Sequence, residues 1–445
     1  MIVTLESLRP CLEGIVPSKL TTCSTDGMPN TAWISQVDYV DSEHVATSFQ
    51  FFNKTRQNIL ANPYAVALVT HPRTAQVTEL TLHYLRTETE GRVFERMKAR
   101  LAGIASHTGM SGVFRLLGAD IYRVEAIRPL SGKVLPEPVP PKALAPALRQ
   151  ASAHMAEAGD LATLLDVTLR ALENDFGIKH SMILMWDAET GKLITLASRG
   201  YDISGVGSEI ALGDGVIGVA AAHRTPIRIT HMTNEYSYGQ AIRENALESG
   251  LEQQLGQQIP FPGLDHPGSQ LAVPVAVSGR LMGVLHVESP EENCFSYDHE
   301  DVLVTLATQL ALSMALLAQA PDSQEHVPHL QAQATTGMPV LTVRHYASNN
   351  SIFLADEYLI KGVAGAIFWR LLQIHAQTGR TEFTNRELRL DPALHLPDID
   401  DNLEARLILL SRRLEERDCM VALEKTGRGR FSLVLQRAVS LSEVA

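Results

Sequence analysis

Residues 20–69 read LTTCSTDGMPNTAWISQVDYVDSEHVATSFQFFNKTRQNILANPYAVALV. Asp26-Gly27 is a hairpin signal between two β-rich runs, because these residue types accept the positive φ angles of a tight turn. A helix is predicted at residues 53–62. It ends before Pro63, because the proline ring disfavours helical conformation in the preceding residue. Short strands at this spacing predict a β-barrel, which a helix at residues 92–105 interrupts.

The chain of 445 residues divides at two stretches of linker composition. Residues 129–147 read PLSGKVLPEPVPPKALAPA, and prolines remove backbone donors and favour extended structure. Residues 320–339 are polar and aperiodic. At about 150 residues per domain, the length predicts about three domains. The predicted divisions are a first domain at 1–130, a linker at 131–147, a second domain at 148–319, a linker at 320–340 and a third domain at 341–437.

The net charge of −12 at pH 7 argues against a nucleic-acid surface over the whole chain. Residues 337–437 are the exception, because 14 Lys and Arg against 13 Asp and Glu leave them close to neutral.

The N-terminus has no signal-peptide pattern, and no stretch approaches the ~20 uninterrupted apolar residues of a membrane helix. The four cysteines are far apart in sequence, which argues against a zinc or Cys-x-x-Cys site. We predict a cytoplasmic protein without a metal site.

Residues 17–128 resemble the FMN-binding split barrels of the pyridoxamine 5'-phosphate oxidase-like superfamily, through the hairpin and the helix that ends at Asn62-Pro63. In that family the flavin phosphate lies near a lysine at the helix start, which here is Lys54. A helix N-terminus offers N–H groups to a phosphate, and lysine adds charge. The resemblance implies FMN, usually in a homodimer. The implied flavin-binding residues are Trp33, Ile34 and Ser35 at the ring, Thr47, Ser48 and Phe49 at the ribityl chain, and Asn53, Lys54 and Thr55 at the phosphate.

The second domain resembles GAF domains in three runs and in a long first helix predicted at residues 148–176. The runs are GDGVIGVAAAHRTPIRI at 213–229, LAVPVAVSGRLMGVLHVES at 271–289 and FSYDHEDVLVTLATQLALSMALL at 295–317. Residues 213–218 also satisfy G-x-G-x-x-G, but Pro226 ends the following helix too early for a dinucleotide-binding βαβ unit. The resemblance therefore implies a sensor domain with an α/β sandwich fold.

GAF domains bind small molecules beneath variable loops, and the corresponding segment here is 231–269. Segments of this length without regular structure are often functional. The candidate ligand residues are His231, Tyr236, Tyr238, Arg243, Gln253 and Gln254. Haem is an alternative ligand on these folds; the histidines available for it are His71, His83 and His107 in the first domain and His231 and His266 in the second.

The third domain resembles the winged-helix domains of response regulators in TEFTNRELRL at 381–390, NLEARLILLSRRLEER at 402–417 and LEKTGRGRFSLVL at 423–435. A helix is predicted before them at residues 355–377. In that family the helix before the wing enters the DNA major groove, and the wing meets phosphate. The implied DNA-binding residues are Arg406, Arg412, Arg413 and Arg417 on the helix and Lys425, Arg428 and Arg430 on the wing. Asp398, Asp400, Asp401 and Glu404 lie nearby and oppose DNA binding.

The sequence thus predicts an α+β multidomain protein: a split β-barrel, a GAF-like α/β sandwich and a winged helix. The favoured function is an FMN-binding sensor that controls transcription. One alternative is an FMN-dependent oxidoreductase with regulatory domains, although no His–Asp or Cys–His arrangement identifies catalytic residues. The other is a haem-binding sensor on the same folds.

Overall fold

The structure is a computed structural model. It describes residues 3–12, 16–34, 37–49, 54–107, 116–136, 143–230, 259–319, 340–394, 403–417 and 421–444.

The first domain is built on one curled sheet. Within the described residues its strands are β1 Ser18–Cys23, β2 Pro29–Ile34, β3 Val37–Tyr39, β4 His44–Phe49, β5 Tyr64–Thr70, β6 Val77–Glu88 and β7 Gly118–Pro129, in the order β2-β1-β5-β6-β7-β4-β3. Gly27 has a φ of +86°, as the β1–β2 turn requires. The return strand predicted at residues 31–39 is wrong in extent. It is two strands, of which β2 pairs with β1 and β3 pairs with β4.

A 3-10 helix at Glu6–Leu12 and helices α1 (Lys54–Ala61) and α2 (Arg92–His107) complete this domain. Helix α2 has two apolar sides. Phe94 and Met97 pack with the strands of the first domain, whereas Ala99 is fully buried against the second domain. A Cβ on Gly103 would lie 2.5 Å from a methyl carbon of Ile227, so the close approach of the two domains requires glycine there.

The second domain has a sheet with helices on both faces. Its described strands are β8 His180–Asp187, β9 Lys192–Arg199, β10 Glu209–Ala211, β11 Ile227–Ile229, β12 Ser269–Val277 and β13 Arg280–Ser289, in the order β10-β9-β8-β13-β12-β11. Its helices are α3 Leu144–Ala156, α4 Leu161–Asn174, α5 Gly215–His223 and α6 Tyr297–Gln319. The single helix predicted at 148–176 is wrong. The chain breaks at Gly159, and the Asp160 carboxylate caps α4 by accepting the Thr163 N–H at 2.9 Å.

Helix α6 is long and apolar. Among the described residues, its segment Tyr297–Ala318 is the one helix whose length and mean hydropathy of 1.7 would suffice to cross a membrane. One side of it, including Leu303, Leu306 and Leu310, is buried in the core of the second domain. Polar residues such as Thr305 and Gln309 interrupt the run, so it is not an uninterrupted apolar stretch, and core packing accounts for the apolar residues on its buried side.

The third domain combines two sheets with three described helices. Strands β14 Leu341–Tyr346, β15 Ser351–Leu354, β16 Glu357–Ile360 and β20 Val439–Val444 form one sheet, and β17 Glu382–Thr384, β18 Val421–Gly427 and β19 Arg430–Leu435 form the other. The helices are α7 Gly362–Thr378, α8 Asn385–Leu390 and α9 Leu403–Arg417. The helix predicted from residue 355 is wrong at its start, because β16 occupies that segment and Gly362, with φ +66°, turns the chain into α7. Strand β20 pairs parallel with β14 and lies beyond the predicted boundary at 437.

The cores of the second and third domains are continuous. One cluster of buried side chains includes Leu165 and Leu172 of α4 together with Leu409 and Leu410 of α9. Helix α9 is therefore docked on the second domain by apolar burial as well as by charge.

Candidate functional site

The implied phosphate site lies where α1 meets β2. Lys54 is the first residue of α1 and its side chain is exposed. The Thr55 hydroxyl accepts a hydrogen bond at 3.0 Å from the Asn30 amide of β2, which fixes the helix start against the hairpin. The role of Lys54 and Thr55 in phosphate binding stays a prediction. Ser35 and Asn53 lie outside the described residues.

A buried ion pair that the sequence did not reveal lies beside this helix start. The Arg56 guanidinium pairs with Asp120 of β7 and lies 4.3 Å from the ring centre of Phe49. Asp120 is 4% exposed and also accepts the Thr87 hydroxyl at 2.6 Å. Asp120 stands opposite Thr47 in the β4–β7 pairing, so the strand that carries Thr47, Ser48 and Phe49 ends close to α1. A sequence separation of 64 residues hides the Arg56–Asp120 pair from local patterns.

The predicted ring-contacting residues point to opposite faces of β2. Ile34 lies against the core of the first domain, on the same face as Asn30. Trp33 is 67% exposed on the other face, with the Lys19 ammonium 4.7 Å from its ring centre. Within one chain, Trp33 is therefore turned away from the Asn30–Thr55 contact.

The ligand residues predicted for the second domain, His231, Tyr236, Tyr238, Arg243, Gln253 and Gln254, all lie outside the described residues. His266 is described and exposed. The sheet of the second domain carries a buried polar cluster that the sequence analysis missed. Glu288 is 2% exposed and accepts hydrogen bonds from the Gln270 amide at 3.2 Å and the Leu264 N–H at 3.0 Å. Burial raises the pKa of Glu288, and burial together with the nearby Glu288 carboxylate raises the pKa of Tyr201.

His286 lies two residues before Glu288 on the same face of β13. Its cross-strand neighbours are Met182 and Ala272, and it is 1% exposed. Within the described part of the chain, neither ring nitrogen has a hydrogen-bond partner. Burial lowers the pKa of His286 to about 3, so the ring is neutral at physiological pH. The signal that the sequence offered was a polar side chain at an inward position of the run LHVES.

The basic side chains predicted to bind DNA lie largely at the contact between the second and third domains. Arg406 of α9 is 8% exposed and pairs with Asp187 at the end of β8, with 3.1 Å between Nη1 and Oδ2. Arg412 donates to Asp166 and to the Leu196 carbonyl, each at 2.7 Å. Burial alone would raise the pKa of Asp187, but the hydrogen bond and charge of Arg406 lower it overall.

The remaining predicted DNA-binding residues have their partners either in the second domain or within the third domain. Lys425 pairs with Asp160 at 3.0 Å, and Arg428 donates to the Leu317 carbonyl at 2.9 Å, both across the domain contact. Within the third domain, Arg413 donates to Leu359 O at 3.1 Å, Arg417 pairs with Glu357 at 2.7 Å, and Arg430 lies half-buried at the start of β19. The docked arrangement therefore occupies much of the basic surface that the sequence assigned to DNA.

A second charged cluster joins the first and second domains. Arg100 of α2 donates to Asp38 at 2.8 Å and to Glu300 of α6 at 3.0 Å, and Arg228 donates to Glu300 at 2.9 Å. Burial alone would raise the pKa of Glu300, but the two guanidinium groups lower it overall. The Tyr297 ring lies against this cluster, 4.4 Å from the Arg228 guanidinium.

Comparisons with known proteins identify the second domain. Residues 158–315 match the GAF domain family, and this part of the chain is a GAF domain. No curated protein sequence matches the chain.

Solved structures with similarity to parts of the chain include the GAF domain of an Acinetobacter phosphoenolpyruvate-protein phosphotransferase (21% identity, 41% of this chain and 97% of that chain, TM-score 0.31). Another is the free methionine-R-sulfoxide reductase of Neisseria meningitidis in complex with its substrate (20% identity, 39% and 90%, TM-score 0.31). A third is an FMN-binding protein from Syntrophomonas wolfei (20% identity, 29% and 86%, TM-score 0.25).

Proposed function

We propose that the chain is a flavin-binding sensory regulator, in which FMN in the first domain and a small molecule at the GAF domain control a winged-helix output domain that binds DNA. The observation that carries this proposal is the buried Arg406–Asp187 pair, because it ties the proposed output helix α9 directly to the sensor domain.

Three features of the third domain support a winged helix. Helices α7, α8 and α9 precede the β18–β19 hairpin, and β17 pairs with β19 to complete a three-stranded sheet. The hairpin carries Lys425, Arg428 and Arg430 near its turn. A capping box at Thr384 and Glu387 fixes the start of α8.

Strand β8 supplies a physical link between ligand and output. His180 at its start pairs with Glu288 of the buried polar cluster, and Asp187 at its end holds Arg406. The eight residues from His180 to Asp187 span about 23 Å at the usual strand rise. A ligand that moves the polar cluster therefore acts on the strand that ends at the docking contact. In the docked state the contacts of Arg406, Arg412, Lys425 and Arg428 compete with DNA phosphates.

The test is a release variant, Asp160→Asn/Asp166→Asn/Asp187→Asn, which removes three of the second-domain carboxylates that pair with the third domain, in addition to Glu209, which pairs with Lys361 at 3.1 Å and is left unchanged. Asparagine keeps the helix cap at position 160. The control, Asp202→Asn/Asp265→Asn/Glu291→Gln, removes the same charge from exposed positions of the same domain.

Both variants and the wild type are titrated with genomic DNA fragments at about 50 mM salt, where phosphate contacts are strong. We expect at least tenfold tighter binding by the release variant and wild-type affinity in the control. Absence of binding by all three proteins would refute a DNA output and leave the third domain as a protein-interaction module.

A further inference from the structure

A cavity of about 670 Å³ lies between the GAF domain and the first half of α9. On the GAF side it is lined by the β8–β9 turn, the β12–β13 turn and the end of α5. It is separate from the buried Glu288 cluster, and none of the proposed flavin-binding residues lines it. Its volume lies in the range of small-molecule pockets, which is about 300–1,000 Å³.

The wall of this cavity is mainly apolar. Trp186, Leu212 and Met282 of the GAF domain face it from one side, and Leu409 of α9 faces it from the other. An aromatic ring and a thioether together favour a flat apolar ligand body.

The charged groups of the cavity lie at its floor and its rim. The floor holds the Asp187–Arg406 pair, whose charges compensate each other. Among the described residues that line the cavity, the rim carries Arg224, Arg280 and the acid Glu189, and all three are exposed. Arg224 donates to the Gly279 carbonyl, which holds its guanidinium beside the β12–β13 turn. The charges of these described rim residues sum to +1.

We propose that this interdomain cavity binds an amphipathic organic anion, with its apolar body against Trp186 and its carboxylate, sulfonate or phosphate group at Arg224 and Arg280. Because α9 forms one wall, the cavity is complete only while the third domain is docked. A ligand bound there stabilises the docked arrangement, since it has more contacts in that state than in a released one. The site goes beyond the proposed flavin and GAF ligands, and its binding test needs neither flavin nor DNA.

The probe is 1-anilinonaphthalene-8-sulfonate, an aromatic sulfonate whose emission rises in apolar surroundings. It is titrated into the full chain with direct excitation and with tryptophan excitation, because Trp186 in the wall transfers energy to a bound dye. Ala222→Phe fills the cavity from an exposed position of α5, and Arg224→Gln/Arg280→Gln removes the rim charge. Trp186→Phe removes the energy donor, with Trp369→Phe in the core of the third domain as the matched control.

We expect dye affinity to fall at least tenfold in Ala222→Phe and at least fivefold in the double arginine variant. Trp186→Phe should abolish most of the sensitised emission, whereas Trp369→Phe should retain it. Wild-type affinity in Ala222→Phe, retained sensitised emission in Trp186→Phe, or no dye binding by the wild type would each overturn the proposal. Circular dichroism of every variant checks the fold, and the exposed arginine pair gives an answer that is independent of packing at position 222.

Discussion

The Arg406 guanidinium on α9 donates two hydrogen bonds to the Asp187 carboxylate on β8, one of them at 3.1 Å from Nη1 to Oδ2, and the two residues are only 8% and 5% exposed. Arg406, which the sequence pattern assigns to the DNA surface, thus forms a buried ion pair between two domains. Buried ion pairs are sensitive to loss of one partner, because the remaining charge keeps its desolvation cost.

Asp187→Ala should therefore destabilise the chain by about 3 kcal/mol, since buried Arg406 loses this carboxylate. Asp187→Leu/Arg406→Met should recover much of the loss by replacing both charges with apolar groups. The measurement is urea unfolding, with exposed Asp202→Ala as the control. Equal stability of Asp187→Ala and wild type would mean that the pair contributes nothing to docking.

Local patterns of sequence identified the elements, whereas contacts between distant segments were not predictable. The Asp26-Gly27 turn is a short-range signal, and the structure contains the hairpin that it predicts. Arg406 and Asp187 are 219 residues apart, and a run of arginines has the same pattern whether it faces phosphate or carboxylate. Likewise, the two apolar sides of α2 do not indicate from sequence which domain each side packs against. Charge and periodicity indicate which chemical type of partner a side chain requires. The tertiary fold determines which residue is that partner.

Lys54→Ala should weaken FMN binding about ten- to a hundredfold, the range for a lost hydrogen bond to a charged group. The physical reason is the position of Lys54 at the first turn of α1, where helix N–H groups and the ammonium act on the same phosphate. Flavin fluorescence quenching of the apo-protein measures affinity, with exposed Lys98→Ala on α2 as the control. Absence of quenching with wild type would contradict FMN binding. Bleaching of bound flavin by NAD(P)H would favour the oxidoreductase alternative. An intense absorption band of bound haem would favour the haem-binding sensor.

We expect a homodimer in which α6 contributes to the interface. Leu312 and Leu316 on this helix are 48% and 68% exposed, although its opposite side is buried in the core. Leu312→Glu/Leu316→Glu should dissociate the dimer, because it places charge in an apolar contact. Multi-angle light scattering at micromolar concentration gives the mass. Leu390→Glu changes a leucine that is 71% exposed on α8 and should stay dimeric. A wild-type monomer would refute the prediction.

His286 should make the stability of the GAF domain depend on pH. Its folded pKa of about 3 lies below the unfolded value near 6.5, so unfolding takes up a proton between these values. The contribution of His286 to the free energy of unfolding is fully present above pH 6.5 and is lost as the pH falls. The free energy of unfolding should therefore decrease by about 2 kcal/mol between pH 7.5 and pH 5.

His286→Leu should remove that part of the pH dependence, and it should not destabilise at neutral pH because the described ring nitrogens have no partner to lose. Urea unfolding at pH 5, 6 and 7.5 gives the difference between variant and wild type, in which the contributions of Glu288 and other groups cancel. Exposed His266→Ala should keep the wild-type slope. A His286→Leu slope equal to that of wild type would show that the histidine is protonated or solvated in the folded chain.

The tip of the β18–β19 hairpin should supply DNA phosphate contacts once the third domain is released. Arg428 donates to the Leu317 carbonyl in the docked state, and Arg430 begins the next strand. Each neutralised phosphate adds about 0.9 to the slope of log affinity against log salt. In the release variant, Arg428→Gln/Arg430→Gln should therefore flatten the slope by about 1.8 and weaken binding to all sequences alike, because phosphate contacts carry no base information.

The control for the hairpin change removes two arginines from the first domain. Arg123 and Arg128 on β7 pair with Glu125 and Glu79, so Arg123→Gln/Arg128→Gln lowers the total charge equally without touching the hairpin. A loss of slope in both double variants would reflect net charge alone. A loss confined to Arg428 and Arg430 would place the hairpin on the DNA backbone, where substitutions on α9 should change sequence preference instead. An unchanged slope in both would remove the hairpin from the DNA interface and leave α9 as its remaining candidate.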